Sequence, residues 1–504
     1  MNRIPGDFYD RVRRHSGQSE TVREDAAPPE RWMQQIWRHQ RIHRDRLQTL
    51  DGRTVQVLHP GFWNREAGPD FRDAVIRIGE EPARLGDVEL DRSVGGWRSH
   101  HHEGNPAYER VILHVVWTAP AAALAPPVLA LRPVLDAPLG ELSAWIETEA
   151  PRLLPGNLPG SCCAPLRELP PEAFVEIVAQ AAQVRLRLRA QEFAVRAREA
   201  GWDQSLWEGL VSALGYKHNV WPMRRLAELT GQDAEIPAVP TFEDSIAHWE
   251  ARLLGIAGLL PPDLPRGDAR LAVRRLWDLW WRERQSWEDR TLPAFLWKTG
   301  GVRPANHPQR RIILAARWRA VGSPAAALEA WLGEPGTRTA LVSRLRNVLT
   351  PPSVPGDYWL RHATLRSRAS PRPMPLLGSS RLAELALNVV LPWLHARASA
   401  GDNHQAMAEI ERRYFLWPPA GDNARLRLAR QRLFGGDPGP AFHTGACQQG
   451  LHQILRDFCQ HAGPLCDACR FPDLVRSLLP GQPPSPASVP LVPNSLGSRI
   501  QSPD

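Results

Sequence analysis

The sequence predicts an α+β protein, with an N-terminal α/β domain before a large all-α region that ends in a cysteine-rich metal element. Between residues 30 and 135, one helical repeat of apolar residues precedes short runs in which apolar and polar residues alternate, as they do in strands. Beyond residue 137, apolar residues recur at helical spacing only. Four of the six cysteines fall in one segment near the end of the chain.

The N-terminal elements follow directly from these patterns. Trp32, Met33, Ile36 and Trp37 recur at helical spacing and predict a helix within residues 30–47. The apolar and alternating runs after this helix predict five strands, at residues 55–59, 73–78, 84–90, 110–117 and 128–135. A short helical turn is expected before the fourth strand, near residues 105–109. This order predicts a compact α/β unit.

The rest of the chain carries amphipathic patterns that are rich in arginine and tryptophan. They predict helices at residues 141–150, 172–200, 204–214, 222–229, 242–259, 268–284, 309–320, 324–331, 339–348, 380–398, 405–415, 424–433 and 448–461. Together the patterns divide the chain into a flexible leader (1–28), the α/β domain (29–136), two all-α domains (137–350 and 351–477) and a disordered tail (478–504) rich in proline and serine.

Bulk composition restricts the classes of protein and partner. The chain has 504 residues and a net charge of +8, and its only lysines are Lys217 and Lys298. A mild positive charge permits a nucleic-acid partner without requiring one. Neither a secretory signal nor an apolar run long enough to span a membrane is visible, so we expect a cytoplasmic protein without a membrane partner. Cysteines in that compartment favour metal binding or free thiols over disulfides.

Three acidic residues lie at the ends of the predicted strands. Asp70 precedes the second strand, while Glu89 and Asp91 lie two apart on the third, so their side chains leave the same face. If the two strands pair as a hairpin, Asp70 and Glu89 can meet. Paired carboxylates on neighbouring strands can hold Mg²⁺ or Mn²⁺ and leave positions open for water and phosphate. The alternative is that these are ordinary turn and solvent-facing acids.

The same residues carry a resemblance to known proteins. Pro69-Asp70 followed by Glu89-Leu90-Asp91, within a helix–strand–strand–strand–helix–strand order, resembles the PD-(D/E)XK nuclease superfamily. The GPDF segment, the GDVE segment, the Trp and His cluster and the ILHVV strand also resemble an uncharacterised bacterial family, a domain of unknown function. The first resemblance implies a restriction-endonuclease-like fold over residues 29–136, with Asp70 and Glu89 as ligands of the catalytic metal.

One position departs from the superfamily pattern. Asp91 stands where the superfamily has a lysine that orients the attacking water or stabilises developing charge, and no lysine precedes Lys217. Histidines of the loop after the third strand offer a replacement, because imidazole is a good base near neutral pH and a common metal ligand. We therefore include His100 and His102 among the candidate catalytic residues, with a solvated loop as the alternative.

Two further groups are candidate sites. Cys447, Cys459, Cys466 and Cys469 have the spacing C-x11-C-x6-C-x2-C, which favours Zn²⁺ or an iron–sulfur cluster, with scattered free thiols as the alternative. A loop before a predicted helix contains four residues that can hold phosphate oxygens: Arg303, Asn306, Arg310 and Arg311. The alternative for that loop is a proline-fixed connection with solvated arginines.

These observations predict a metal-dependent phosphodiesterase that binds nucleic acid, DNA in particular. Two alternatives stay open. One is that the chain kept a nuclease-like fold as a non-catalytic nucleic-acid-binding or scaffold protein, since the lysine is missing. The other is that it is a metallohydrolase that acts on a small molecule.

Overall fold

A computed structural model of the chain describes residues 4–17, 27–64, 67–100, 102–118, 126–145, 158–216, 218–231, 235–265, 269–352, 354–435, 443–459, 466 and 469–479. The protein is of the α+β class, as the sequence predicts, with an N-terminal sheet followed by a helical region. The predicted disordered tail falls almost entirely outside the described residues, as does most of the predicted leader after residue 17.

The sheet is built from six strands. These are β1 (Val55–His59), β2 (Phe62–Trp63), β3 (Phe71–Ile78), β4 (Arg84–Asp91), β5 (Val111–Val116) and β6 (Val128–Ala130). Their order is β1-β3-β4-β5-β6, and the two-residue β2 pairs with β3 at the side. The pairs β1–β3 and β3–β4 are antiparallel, whereas β4–β5 and β5–β6 are parallel. The sequence predicted five of these strands and missed β2.

Nineteen α-helices surround and follow the sheet in the described part of the chain. They are α1 (Phe8–Gly17), α2 (Glu30–His39), α3 (Gly96–Ser99), α4 (Leu139–Trp145), α5 (Cys163–Glu168), α6 (Pro171–Ala200), α7 (Trp202–Leu214), α8 (Val220–Leu229), α9 (Phe242–Ile256), α10 (Ala269–Trp287), α11 (Pro308–Val321), α12 (Ala325–Gly333), α13 (Arg338–Leu349), α14 (Ser379–Leu385), α15 (Leu391–Ala400), α16 (His404–Leu416), α17 (Ala424–Phe434), α18 (Gly445–Ile454) and α19 (Phe471–Arg476). Two π-helical turns, Ala386–Val390 and Leu455–Cys459, continue α14 and α18.

The predicted helices of the second half are therefore present, with ends that differ by a few residues. Residues 380–398, predicted as one helix, form α14, a π-helical turn and α15 in succession. The predicted helix at 141–150 begins earlier, at Leu139, and its last residues lie outside the described part. Beyond Leu135, the described residues contain no strand, as predicted.

One core covers the apolar face of the sheet. Val88 and Leu90 of β4 point into it, together with Met33 and Trp37 of α2, and all four side chains are fully buried. Since side chains alternate along a strand, Glu89, which lies between Val88 and Leu90, leaves the opposite face. At β4 this alternation separates a packing face from a polar face, whereas Leu58 of β1 and Val75 of β3 pack in the core of the later helices.

A second core fills the helical region, and α6 belongs to both. Ile177 and Val178 of this helix pack in the core beneath the sheet, whereas Ala182 and Leu186 pack in the core formed by the later helices. A helix buried on several sides has little amphipathic asymmetry, which fits the apolar residues spread around α6. The segment boundaries predicted at residues 136, 350 and 477 stay predictions. No helix of the described residues is both long and apolar enough to cross a membrane.

Candidate metal centre

The antiparallel pairing of β3 and β4 brings the predicted acidic residues together. Phe71 lies opposite Val88, so Asp70 falls beside Glu89. The backbone N–H of Asp70 donates to Oε2 of Glu89 at 3.0 Å, and the N–H of Leu90 donates to Oδ2 of Asp70 at 3.1 Å. The two carboxyls are thus fixed side by side at the carboxyl end of β4, in the hairpin arrangement that the sequence suggested.

Helix α2 adds a carboxyl that the sequence analysis missed. Nε2 of Gln34 donates to Oδ1 of Asp70 at 2.8 Å and to Oε1 of Glu30 at 3.1 Å. Glu30 and Gln34 are one turn apart and half-buried, at the margin of the side of α2 that carries the buried Met33 and Trp37. These two polar residues, four positions apart on a largely buried helix, were the feature of the sequence that could have indicated this part of the site. Its position next to the strands depends on how α2 packs.

The connection from β4 to β5 carries histidines back over the polar face. Nδ1 of His100 lies 3.0 Å from Oδ1 of Asp91, and Nε2 of His102 lies 3.1 Å from Oε1 of Glu89. Parallel strands require a crossover of a dozen or more residues. Here that crossover contains only α3 and the short 3-10 turn at Pro106–Tyr108, so most of it is free to line the site. His101 lies outside the described residues.

Aromatic packing holds the histidine loop in place. The ring of His102 stacks on Tyr108, with centroids 3.9 Å apart, and the edge of Trp97 contacts both His102 and His114. Gly96 also lies directly against the Asp91 carboxylate, where a Cβ would collide with it. The loop conformation is therefore set by contacts with the polar face, not by helix formation.

Asp91 is held between two histidines. Its Oδ2 lies 2.9 Å from Nε2 of His114, a residue of the adjacent strand β5, while its Oδ1 faces His100. Asp91 is 1% exposed and His114 is 2% exposed, so each is the buried partner of the other. Arg92 and Arg98, the first two arginines after Asp91, make their contacts elsewhere: Arg92 donates to the Ala27 carbonyl, and Arg98 lies 3.7 Å from Glu103.

Burial and mutual repulsion perturb the carboxyls. Burial is the main cause that raises the pKa of Asp70 to about 8, and the charge of Glu30 adds to it. Burial likewise raises the pKa of Glu89 to about 9, with the charge of Asp70 as the next cause. The pKa of Glu30 is raised by burial and then by Asp91. Asp70 and Glu89 therefore hold protons near neutral pH unless a cation compensates their charge.

His102 is the buried nitrogen donor of the group. Burial lowers the pKa of His102, which keeps its imidazole neutral at neutral pH. The residue is 6% exposed, yet neither ring nitrogen makes a well-directed hydrogen bond. Nε2 of His102 and Oε1 of Glu89 therefore lie 3.1 Å apart without a hydrogen atom well aligned between them, and both atoms can bind a metal. Such an orphaned nitrogen fits a metal ligand.

One group of ligand atoms is compact enough for a single ion. Among the side chains that the structure describes, Asp91, His100 and His102 offer three ligand atoms within 4.8 Å of one another. Glu89 extends this group toward Asp70, since one of its oxygens faces His102 and the other faces the Asp70 backbone. A mixed set of carboxylates and imidazoles suits Mn²⁺, Fe²⁺ or Zn²⁺ better than Mg²⁺.

The predicted phosphate-binding loop has a different environment. Arg310 is 1% exposed and donates to the carbonyls of Trp359, His362 and Met374. Arg311 donates to the Leu376 carbonyl at 2.9 Å and to Oδ1 of Asn306 at 2.6 Å. Because both guanidinium groups are held inside the helical region, they fix the backbone around α11. Neither guanidinium is therefore directed to solvent as a phosphate clamp would require, although Arg303 itself is exposed.

A further cysteine, Cys162, lies near three of the four predicted metal-binding cysteines: Cys459, Cys466 and Cys469. Cys459 ends the π-helical turn after α18, and Cys466 and Cys469 precede α19. Cys447 lies in the first turn of α18, where its sulfur accepts a hydrogen bond from Thr444 at 3.2 Å. Cys162, which the sequence analysis did not include, is the thiol whose pKa is raised by burial and by the charges of Cys459, Cys469 and Cys466.

Comparisons with known proteins place the chain in a family. Neither the curated proteins nor the solved structures give a match. One family does match, over residues 30–416, a range that includes the sheet and the candidate metal centre and ends before the cysteine-rich segment. This result confirms the expected membership of a family of unknown function. The chain belongs to the family described as protein of unknown function (DUF2851).

Proposed function

We propose that the polar face of the N-terminal sheet binds a divalent cation and hydrolyses phosphodiester bonds of nucleic acid, DNA in the first instance. The observation that carries this proposal is the convergence of Asp70, Glu89 and Asp91 with His100 and His102 at one end of β4. These residues come from two strands and a loop, and the backbone hydrogen bonds between Asp70 and β4 fix their geometry.

The donor set fits a cation. Two ligands on adjacent positions of one ion stand about 3 Å apart when each metal–ligand distance is about 2.1 Å. Asp91 and His100 meet this spacing at 3.0 Å, as do Glu89 and His102 at 3.1 Å. A cation there would also compensate the charges of Asp70 and Glu89, which burial and then mutual repulsion keep protonated. Mn²⁺ is the first candidate because it accepts both oxygen and nitrogen ligands.

The chain's own residues have distinct roles in this proposal. A bound divalent cation would supply a water of lowered pKa and a charge to neutralise a phosphate oxygen. Asp70, Glu89 and Asp91 hold the ion, and the backbone N–H of Asp70 also orients Glu89. His102, kept neutral by its burial, supplies a nitrogen ligand to the same ion. His114 fixes the Asp91 carboxylate from the other side.

Two features favour a nucleic-acid substrate. The order of α2, β1, β3 and β4, followed by a β5 parallel to β4, agrees with the order that the nuclease resemblance implies. Arg31, which follows Glu30, is exposed, and its charge is suited to a phosphate contact beside a negatively charged site. We propose the cytoplasm as the location, because nucleic-acid substrates are present there.

Cleavage of labelled DNA and RNA in Mn²⁺ tests the proposal. The wild-type protein should cleave one of these substrates, and Glu89→Gln and His102→Gln should each reduce the rate at least tenfold. Asp73→Asn is the matched control, because Asp73 lies on β3 but forms an exposed ion pair with Arg110 away from the histidine loop. Its asparagine tolerates the positive φ of 56° at this position.

The alternatives give different results in the same experiment. A non-catalytic nucleic-acid-binding protein would shift labelled DNA in a salt-dependent manner without Mn²⁺-dependent cleavage. The buried Asp91–His114 pair is the feature that favours this alternative, because it leaves no cation at the lysine position. A small-molecule metallohydrolase would bind Mn²⁺ but show neither binding nor cleavage of nucleic acid.

A further inference from the structure

Four thiols from distant parts of the chain surround Arg432. The backbone carbonyl of Arg432 accepts from the N–H of Gly160 at 2.7 Å and lies 3.8 Å from the sulfur of Cys162. The guanidinium of the same residue donates to the sulfur of Cys466. It also makes a hydrogen bond to the thiol of Cys459.

The fourth thiol of this group is tied to the third by local geometry. The N–H of Cys469 donates to the carbonyl of Cys466 at 3.1 Å, which closes a tight turn between them. Cys466 has a φ of 64°, an unusual conformation for a residue other than glycine. The backbone N–H of Phe471 makes a hydrogen bond to the sulfur of Cys469. Tight turns with backbone N–H groups directed at sulfur are typical surroundings of metal-bound cysteines.

We propose that Cys162, Cys459, Cys466 and Cys469 bind a [4Fe–4S] cluster. Cys162, which precedes α5, takes the place that sequence spacing gave to Cys447. The cluster joins the segment before α5 to the segment before α19, and both segments border the core beneath the sheet. This site is independent of the acidic centre and of the proposed phosphodiesterase activity.

The spacing of the thiols favours a cluster over a single ion. Four thiolates around Zn²⁺ stand about 3.8 Å from one another, because each Zn–S bond is about 2.3 Å long. In the part of the chain that the structure describes, no three thiols lie within 4.8 Å of one another, since the one group that meets this limit is Asp91, His100 and His102. A four-iron cluster is larger than one ion, and its four cysteine ligands stand further apart.

Charge and burial agree with such a centre. Burial, followed by the charge of Cys469, raises the pKa of Cys459 to about 12, and burial raises that of Cys469 to about 11. Without metal these thiols therefore stay protonated. Assembly of the cluster from two ferrous ions, two ferric ions and four sulfide ions needs no further oxidant, releases the four thiol protons and leaves a net negative charge. Arg432 is 1% exposed, and its buried guanidinium lies where it can balance that charge.

Metal analysis of the full-length protein, purified without oxygen, tests the inference. We expect about four iron and four sulfide ions per chain and a broad absorbance near about 400 nm. Cys162→Ala should lose most of the iron. Cys163→Ala and Cys447→Ala should retain the iron. Cys163 is the buried thiol next to Cys162, and Cys447 is the fourth ligand that the sequence spacing predicts.

A second measurement on the unmodified chain removes any dependence on the folding of variants. Alkylation followed by mass spectrometry should show Cys162, Cys459, Cys466 and Cys469 protected until a chelator removes the iron. The inference is overturned if the protein contains zinc or no metal, if Cys162→Ala keeps its iron, or if removal of iron exposes Cys447 in place of Cys162. None of these outcomes depends on whether the protein has phosphodiesterase activity.

Discussion

The raised carboxyl pKa values make a quantitative prediction about cation binding. Without a cation, Asp70 and Glu89 titrate with pKa values of about 8 and about 9. Both therefore hold protons at pH 6 to 7, and a divalent cation must displace them to bind. Each displaced proton makes the apparent affinity rise about tenfold per pH unit. With two protons, the affinity for Mn²⁺ should rise about a hundredfold per unit below pH 8 and level off above pH 9.

Calorimetric titration of Mn²⁺ into the protein measures this dependence. Titrations at pH 6.5 and 7.5, in pairs of buffers with different ionisation enthalpies, give both the affinity and the number of protons released. We expect close to two protons in the wild type and in Asp73→Asn. Glu89→Gln removes one of the two titrating groups, so its proton release should fall to about one. An affinity for Mn²⁺ that does not change with pH would refute this account of the site.

The same shifts determine how the stability of the cation-free protein depends on pH. Asp70 and Glu89 have ordinary pKa values of 3.8 and 4.5, and both are raised in the folded protein. At pH values between the ordinary pKa and the raised pKa of each carboxyl, the folded state therefore binds more protons than the unfolded chain. The resulting stability is fully present below about pH 4 and is lost as the pH rises through about 9. Thermal unfolding in chelator should show this loss, and Mn²⁺ should reverse it most strongly at high pH.

Three further predictions concern individual side chains. Gly96→Ala should weaken Mn²⁺ binding at least tenfold with little change in melting temperature, since the new Cβ would collide with the Asp91 carboxylate; Gly95→Ala, whose Cβ would meet only Ser93 at 3.7 Å, should bind normally. Trp37→Ala should lower the free energy of unfolding by about 3–5 kcal/mol in urea titrations, because it empties a fully buried site and removes the hydrogen bond to the Pro60 carbonyl. Trp281→Ala, at a position 59% exposed, should change that free energy by less than about 1 kcal/mol. Arg317→Ala should destabilise by about 3–5 kcal/mol, because it leaves Asp357 and Glu250 buried without their cation, whereas loss of the exposed Arg366–Asp263 pair should have an effect below about 1 kcal/mol. Equal effects of the buried and exposed substitutions would contradict these assignments.

Much of the secondary structure could be predicted because local sequence patterns report it. The alternation in β3 and β4 and the helical periodicity of α6 give both the type and the approximate limits of these elements. The two-residue β2 lay below the length at which alternation is visible. The π-helical turn between α14 and α15 was also missed, since a π turn does not change the overall helical pattern.

The candidate site was partly predictable for the same reason. Glu89 and Asp91 must share a face because strand side chains alternate, and a hairpin then brings Asp70 beside them. The role of His100 and His102 rested on a loop, whose course no periodicity defines. The fully buried Arg310 and Arg311 show the opposite case, in which a polar sequence was expected at the surface and instead supports the interior.

The sequence by itself determined the helices, the strands and the face of β4 that carries carboxyls, since each depends on side chains only a few positions apart. Tertiary packing decided which of those groups meet. It placed Glu30 and Gln34 of α2 against Asp70, folded the histidine loop onto Glu89 and Asp91, and brought Cys162 to cysteines close to the other end of the chain. Such contacts depend on how whole elements pack against a shared core. The spacing of residues along the sequence does not give the distance between them in space.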